Sequence, residues 1–347
     1  MNTTPADWLI YCRPGFERDC VEETQAKPIE ANEDSGYVLL QGKPRLVYAQ
    51  LAFARQLIRL HGEISDLPER DRLTPLLSAM PLLSEMPDTP QRFGALYLET
   101  PDTNEGKMLS GFTRRFQPLL EAELIEAGRL ENDPSLARLH IFFPSQRRAL
   151  IGSSDPRNSA AEHMGILRLK MPHDAPSRSY LKLAEAFEVF LTREEQEQWL
   201  RAGMTAVDLG AAPGGWTWQL VQRGLKVIAV DNGPLKGAAS EHPAVRHLRQ
   251  DGFRYRPQRP VDWVVCDMVE KPQRVAALMA EWIRAGWCPR AIFNLKLPMK
   301  KRVAALHEAL KIVRDTLGTN GLKFRIAVKQ LYHDREEVTV FLAKAKR

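Results

Sequence analysis

The second half of the chain alternates short apolar runs with longer amphipathic segments. Such runs predict buried strands, because a parallel strand covered on both faces carries nearly continuous apolar residues. The predicted strands are 206–209, 226–230, 263–266, 291–295, 322–328 and 338–343, and the predicted helices are 177–190, 192–203, 216–220, 273–285 and 303–316. This alternation predicts a mostly parallel, doubly wound α/β sheet, whose ligands bind at the carboxyl ends of its strands.

The first half of the chain has a less regular α/β pattern. Its predicted strands are 7–12, 37–40, 93–99, 136–144 and 148–153, its predicted helices are 16–27, 106–116 and 118–127, and 52–61 is an element of uncertain type. Residues 152–180 are rich in Ser, Asn, Asp and Pro and are interpreted as a linker. The length of 347 residues itself favours about two domains.

The segment TAVDLGAAPGGWTWQL, residues 205–220, reads as a strand, a tight turn and a helix. Glycine lets the backbone approach a ligand closely, and a helix start offers free N–H groups. The dinucleotide fingerprint G-x-G-x-x-G is not met, which counts against NAD or FAD. Asp208 lies inside the strand and is a candidate for holding an ammonium group or the N–H groups of the loop. A purely structural glycine turn is the alternative.

Charged residues stand where several predicted strands end. Asp231 ends VIAVD, where a carboxylate suits the hydroxyls of an adenosine ribose, although a turn aspartate before Asn-Gly is the alternative. Asp267 ends WVVCD and Lys296 ends AIFNLK. A lysine in apolar surroundings is costly unless it is paired or functional. Glu337 precedes an apolar run, and strand alternation puts it on one face with Thr339.

Charge is unevenly distributed along the chain, whose overall net charge is +6. Residues 1–165 carry 18 Lys and Arg against 24 Asp and Glu, whereas residues 166–347 carry 31 against 19. This asymmetry indicates that the second half meets a polyanion. Candidate contacts, each with a solvated surface charge as its alternative, are Lys300, Lys301, Arg302, Arg246, Arg249, Arg254, Arg256 and Arg259.

Composition makes several classes of protein less favoured. No apolar run approaches the ~18 residues of a membrane span, and the first residues lack the pattern of a signal peptide. The four cysteines show no C-x-x-C pairing, which favours free thiols in a cytosolic protein over zinc ligands. We therefore expect a cytoplasmic protein without a metal.

Several motifs together carry a family resemblance. DLGAAPGGW resembles the first S-adenosylmethionine motif of the FtsJ-related ribose 2′-O-methyltransferases. The later motifs VDNGP, DGFRYRP, VCDMVEKP, FNLKLPMKKR and QLYHDREEVTV resemble, in order, the branch of this family that methylates a cytidine ribose in bacterial 23S rRNA. The resemblance is strong over about residues 165–347 and looser before them.

The resemblance implies a domain organisation and a site. The implied domains are a ferredoxin-like module (1–55), a THUMP-like RNA-binding domain (56–165) and a Rossmann-like methyltransferase domain (166–347). The first two together form an α+β region. The implied catalytic tetrad is Lys182, Asp267, Lys296 and Glu337. The implied contacts of S-adenosylmethionine are Ser179, Ala212, Pro213, Gly214, Gly215, Asp231, Asp251 and Asp267.

The chemistry explains why these residue types are needed. A ribose 2′-OH is a weak nucleophile and needs a positioned base; a lysine serves only if its pKa is lowered, as desolvation and a second ammonium can do. We expect Lys296 as this base, Asp267 orienting it and Glu337 placing Lys182, although the two carboxylate roles could be exchanged. The expected partner is 23S rRNA or its precursor, and a monomer is expected. Methylation of another RNA and a non-catalytic RNA-binding assembly protein are the alternatives.

Overall fold

The computed structural model describes residues 6–42, 46–84, 89–319, 321 and 323–345. The chain groups into two compact units, Met1–Ile166 and Leu167–Arg347. The division into domains 1–55, 56–165 and 166–347 stays a prediction. Within the described part of the chain, no helix has the length and apolar character that crossing a membrane requires.

The first unit is built on one seven-stranded sheet. Its elements are β1 Trp8–Tyr11, α1 Glu17–Thr24, β2 Lys27–Glu30, β3 Tyr37–Gln41, β4 Gln56–Ile64, α2 Leu73–Ser84, β5 Ala95–Glu99, α3 Asn104–Glu126, β6 Arg138–Ser145 and β7 Arg148–Ser154. The strand order is β2-β3-β1-β4-β7-β6-β5, and all neighbours are antiparallel except β5 and β6.

Three predictions for this unit need correction. The uncertain element at 52–61 is the strand β4, and the helix predicted to reach residue 27 ends at Thr24, where β2 soon follows. The two helices predicted on either side of residue 117 are the single helix α3, which contains Pro118. A proline inside a helix costs about 3 kcal/mol. The helix continues because Phe116, Leu120 and Leu124 are buried in one apolar cluster with the sheet.

The second unit has the predicted doubly wound α/β architecture. Its elements are α4 Tyr180–Phe190, α5 Arg193–Trp199, β8 Thr205–Leu209, α6 Gly215–Gln222, β9 Lys226–Val230, α7 Ala238–Glu241, β10 Val245–Leu248, β11 Trp263–Cys266, α8 Pro272–Arg284, β12 Arg290–Lys296, α9 Arg302–Gly318, β13 Phe324–Lys329 and β14 Glu337–Lys344. The first predicted residue of β13, Leu322, lies outside the described residues. The apolar pattern does not predict β10, because its residues VRHL contain no apolar run. Thr192 and Glu195 form a capping box at the start of α5.

The strand order β10-β9-β8-β11-β12-β14-β13 explains where the site lies. Strands β8 to β12 are mutually parallel, and β14 is antiparallel to both of its neighbours. The winding direction reverses between β8 and β11, which creates a crevice at their carboxyl ends. Because β14 runs the other way, its first residue, Glu337, pairs in register with Lys296 at the end of β12. Both therefore reach the same edge of the sheet.

Candidate active site

The glycine turn after β8 brings two segments of the second unit into close contact. Gly210 and Gly214 have φ values of +78° and +115°, in the region that side-chain-bearing residues rarely adopt. A Cβ on Gly215 would lie 2.2 Å from Ser179 Oγ and 2.5 Å from Ser177 Oγ. The same Cβ would lie 2.9 Å from the backbone nitrogen of Tyr180, so a larger residue at Gly215 would require this segment to shift, and the structure places the predicted contact Ser179 directly against the turn.

Asp231, at the end of β9, holds this turn in place. Its Oδ2 accepts a hydrogen bond from Ala212 N (3.0 Å), and its Oδ1 accepts one from Gly233 N (2.7 Å). A carboxylate oxygen can accept two hydrogen bonds, so each oxygen keeps acceptor capacity for a ligand hydroxyl. Both roles considered from the sequence, the turn aspartate and the ribose acceptor, are compatible with this geometry.

Asp208 contacts helix α6 rather than the N–H groups of the turn, and its role toward an ammonium group stays a prediction. Its side chain is fully buried in β8 and accepts a hydrogen bond from the hydroxyl of Thr217 in α6 (2.7 Å). Its Oδ1 has no hydrogen-bond partner among the described residues. Burial raises the pKa of Asp208 to about 7, and the charges of Asp267 and Asp231 act in the same direction. Asp208 therefore couples β8 to α6 from inside the core.

Asp251 is exposed and organises its own turn. Its Oδ1 accepts a hydrogen bond from Phe253 N (2.8 Å), and Arg254 Nε lies 3.7 Å from its Oδ2. A Cβ on Gly252 would lie 2.8 Å from the sulfur of Met268, so this turn lies against the segment that follows β11. The structure thus places Asp251 at the carboxyl edge of the sheet, where the resemblance implies an adenine contact.

The four residues of the implied tetrad meet in one cluster. Lys296 Nζ lies 2.5 Å from Asp267 Oδ1 and 3.8 Å from Glu337 Oε1. Lys182 Nζ donates to Glu337 Oε1 and lies 3.7 Å from Asp267 Oδ2. The side chains are only 9% to 23% exposed, which leaves an opening at Lys296, the most exposed of them. Two lysines and two carboxylates thus form one compact cluster.

Lys182 remains an ammonium within this cluster. Burial alone lowers the pKa of Lys182, but the charge of Asp267 and the hydrogen bond and charge of Glu337 outweigh it, so that the pKa is raised. The side chain comes from α4, one turn after Ser179, so one helix start serves both the glycine turn and the tetrad. Lys182 is therefore suited to supply a permanent positive charge.

A buried polar chain behind the tetrad was missed by the sequence analysis. Asn294 Nδ2 donates to Asp267 Oδ1 (2.9 Å), and Thr339 Oγ1 lies 2.8 Å from Asn294 Oδ1 and 2.9 Å from Asp334 Oδ2, where its single proton serves one acceptor at a time. Asn294 and Thr339 pair in register on β12 and β14 and are fully buried. An asparagine inside the apolar strand AIFNLK was the available signal, since a buried amide requires hydrogen-bond partners.

The cations after β12 differ from one another. Lys300 and Lys301 are exposed. The side chain of Arg302 is only 14% exposed, and its guanidinium donates to Glu336 Oε2 (2.9 Å). The prediction that all three contact a polyanion therefore applies better to the two lysines than to Arg302.

Among the described residues, we find neither a reactive cysteine nor a group of side chains suited to a metal ion. All four cysteines are buried and free. Burial raises the pKa of Cys266, beside the tetrad, to about 12, so its thiol stays protonated. No group of three or more His, Cys, Asp or Glu side chains suited to a metal ion is found in the part of the chain that the structure describes.

These features define a class of protein. A doubly wound sheet, a glycine turn after its first strand, a carboxylate after the second and a Lys-Asp-Lys-Glu cluster at the same edge are the features of a Rossmann-like methyltransferase. The comparisons agree: residues 175–345 match the FtsJ-like methyltransferase family, residues 6–58 the RlmM ferredoxin-like domain, and residues 71–155 the N-terminal region of ribosomal RNA large subunit methyltransferase M. The chain belongs to the ribosomal RNA large subunit methyltransferase M family.

Relatives from two named bacteria cover nearly the whole chain. The ribosomal RNA large subunit methyltransferase M of Laribacter hongkongensis is 55% identical over 97% of this chain and 96% of its own length. That of an Azoarcus species is 48% identical over the same shares. Among solved structures, TrmN from Thermus thermophilus matches with a TM-score of 0.35 and 18% identity, over 97% of this chain and 99% of its own. The chain is thus an enzyme of the methyltransferase class, with S-adenosylmethionine as its cofactor.

Proposed function

We propose that this enzyme transfers a methyl group from S-adenosylmethionine to the 2′-oxygen of a cytidine ribose in 23S rRNA. The observation that carries the proposal is the Lys182–Asp267–Lys296–Glu337 cluster at the carboxyl edge of the sheet. The names of the relatives support a substrate in the large-subunit rRNA. The cytidine and the 2′-oxygen rest on the family resemblance.

The residues around the glycine turn fit the cofactor. S-adenosylmethionine supplies an electrophilic methyl group on a sulfonium. Asp231 has free acceptor capacity for ribose hydroxyls, and its contact with Ala212 N keeps the turn from 212 to 215 close to it. Ser179, which lies against the glycine turn, and Asp251 would contact other parts of the molecule. Asp267, which contacts both lysines, would be a further contact.

Within the tetrad, the carboxylates position the lysines, and the lysines act on the substrate. Asp267 holds Lys296 across the ends of β11 and β12, and Glu337 holds Lys182. Lys296, in its neutral form, would accept the proton of the 2′-OH, and the methyl group would come from the sulfonium, whose C–S bond would break to leave a neutral thioether. Lys182, kept as an ammonium, stabilises negative charge that develops on that oxygen. Alignment of the oxygen with the methyl group supplies much of the remaining rate.

The exposed cations and the compartment complete the proposal. Lys300 and Lys301 are exposed and come shortly after Lys296, the last residue of β12, so they would hold phosphates beside the target nucleotide. We expect the enzyme to act in the cytoplasm, as a monomer, on 23S rRNA or its precursor, with the first unit as an RNA-binding region of the THUMP type.

Two other functions remain as outcomes of the test. Methylation of a different RNA would use the same site. A non-catalytic RNA-binding assembly protein would not need a lysine paired with a carboxylate at the carboxyl edge of the sheet. The assembled tetrad therefore argues against this second alternative.

Mapping of ribose methylation tests the proposal. The 23S rRNA of cells with and without this protein is digested and its 2′-O-methylnucleosides are located by mass spectrometry. Loss of one 2′-O-methylcytidine, restored by the wild-type gene and not by a Lys296→Ala variant, is the expected result. If 23S rRNA is unchanged and another RNA loses a methyl group, that other RNA is the substrate. Binding of S-adenosylmethionine without methyl transfer to any RNA would favour the assembly protein.

A further inference from the structure

A large groove opens on one face of the second unit, away from the tetrad. It has a volume of about 1100 Å³, and the 18 residues that line it include five cations and no carboxylate. Its floor is apolar and includes Ile228, Leu248 and Val261. We call this feature the β10 groove, because the edge strand β10 and the segment 249–262 form its walls.

The topology explains why the groove exists. Pairing in register puts Thr205, Ile228 and Arg246 on one face of the sheet. The opposite face, with Ala206 and Val227, is buried in the cluster that also contains residues of α6. On the groove side, the connection from β10 to β11 consists of turns and loop throughout residues 249–262, so this connection lays no helix over Ile228 and Leu248, which stay partly exposed. The outer part of this sheet face is therefore open beside a basic loop.

Two of the five cations of the groove have partners and three have none among the described residues; Arg254 lies 3.7 Å from Asp251. Arg256 donates to the carbonyl oxygens of Phe253 and Tyr255 and lies 5.0 Å from the ring centre of Trp287, so it fixes the loop. Lys226, Arg246 and Arg259 are exposed and have no ion pair with any described residue. Free guanidinium groups beside an open apolar floor are suited to phosphates, because Arg binds phosphate oxygens in a bidentate manner.

From this combination we infer that the β10 groove binds a single-stranded segment of RNA. Unstacked bases lie on the apolar floor near Tyr255, and phosphates lie against Arg246 and Arg259, the arrangement that single-strand binding sites use. A duplex cannot present its bases to such a floor. The inference rests on the proposed function only in taking RNA as the polyanion, and it adds a second contact region to the one expected at Lys300 and Lys301.

The test is a binding experiment on the full chain with a 12-nucleotide oligouridine and a matched RNA duplex as probes. In the groove variant, Arg246→Gln and Arg259→Gln, we expect affinity for oligouridine to fall about tenfold and the log–log salt slope to fall by about 1.4, since each lost phosphate contact on a single strand contributes about 0.7. The matched control variant, Arg193→Gln and Arg314→Gln, removes two exposed charges elsewhere in the same unit and should bind oligouridine as the wild type does. Unchanged affinity for S-adenosylmethionine shows that each variant is folded.

Cross-linking locates the contact. Ultraviolet cross-linking of 4-thiouridine-labelled oligouridine should give adducts in the peptide that contains Tyr255. The groove assignment is overturned if the groove and control variants bind oligouridine equally, if the duplex binds the groove as well as the single strand, or if adducts fall only outside residues 243–261. Methyl transfer by the wild type is measured in parallel. If methyl transfer is absent while RNA binding still depends on Arg246 and Arg259, the proposed function is refuted and the assignment of the groove as an RNA-binding site is supported.

Discussion

Lys296 donates a hydrogen bond of 2.5 Å to Asp267. The two residues lie side by side because they stand at the carboxyl ends of the adjacent parallel strands β12 and β11. The same oxygen of Asp267 accepts a second hydrogen bond from Asn294, two residues before Lys296 on β12. The position of the Lys296 amine is therefore fixed by its own strand and by the neighbouring one. This double fixation, rather than the presence of a lysine alone, is what the reaction geometry requires.

Asn294 is predicted to be a positioning residue. Asn294→Leu removes one of the two hydrogen bonds to Asp267 Oδ1 and should lower the free energy of unfolding by about 1–3 kcal/mol, because buried polar groups lose partners. Methyl transfer should fall while affinity for S-adenosylmethionine stays the same. Urea unfolding and single-turnover kinetics measure the two effects. Wild-type kcat in a destabilised variant would show that Asn294 serves only the fold.

Asp231 is predicted to be needed for cofactor binding in two ways. Asp231→Ala removes an acceptor for ribose hydroxyls and frees the N–H groups of Ala212 and Gly233. We expect binding of S-adenosylmethionine to weaken by about 1.5–3 kcal/mol, as measured by calorimetry. Asp315→Ala, at an exposed aspartate of α9, is the control and should bind normally. Equal affinities of the two variants would remove Asp231 from the cofactor site.

Lys300 and Lys301 are predicted to bind RNA and not the cofactor. Replacing both with Gln should weaken RNA binding and lower the log–log salt slope by about 1.4 for a single strand. Arg302→Gln should change that slope less, because its guanidinium is already paired with Glu336. Titrations at several salt concentrations make the comparison. A larger effect of Arg302 than of the lysines would contradict this assignment.

Asp208 is predicted to make stability depend on pH. Its pKa in the folded protein is about 7, above the ordinary value of about 3.9, so the native state keeps a proton that the unfolded chain releases. This contribution to stability is complete below pH ~4 and is lost as the pH rises to 7 and beyond. Relative to Asp208→Asn, the wild type should therefore lose on the order of 2–4 kcal/mol between pH 4 and pH 8. Parallel pH profiles of urea unfolding for the two proteins would refute the prediction.

The sequence allowed most of the second unit to be predicted, because its strands are continuous apolar runs separated by clear turn signals. It failed where packing overrides local signals. The helix α3 continues through Pro118 because its apolar side chains are buried, and the edge strand β10 carries too few apolar residues to be recognised. At the site, strand ends located Asp267 and Lys296. The contact of Asn294 with Asp267, and the hydrogen bond that Asp208 accepts from Thr217, depend on side-chain geometry that no spacing encodes.

The measurement that tests the central claim most directly is methyl transfer by a Lys296→Arg variant. Arg keeps the positive charge but does not give up its proton near neutral pH, so it cannot accept one from the 2′-OH. The account predicts that this variant binds S-adenosylmethionine and RNA much as the wild type does and loses methyl transfer in single-turnover assays on 23S rRNA from cells lacking the protein. Near-normal transfer by the variant, at the same nucleotide, would contradict the role of Lys296 as the base and would leave orientation and electrostatics as the source of catalysis.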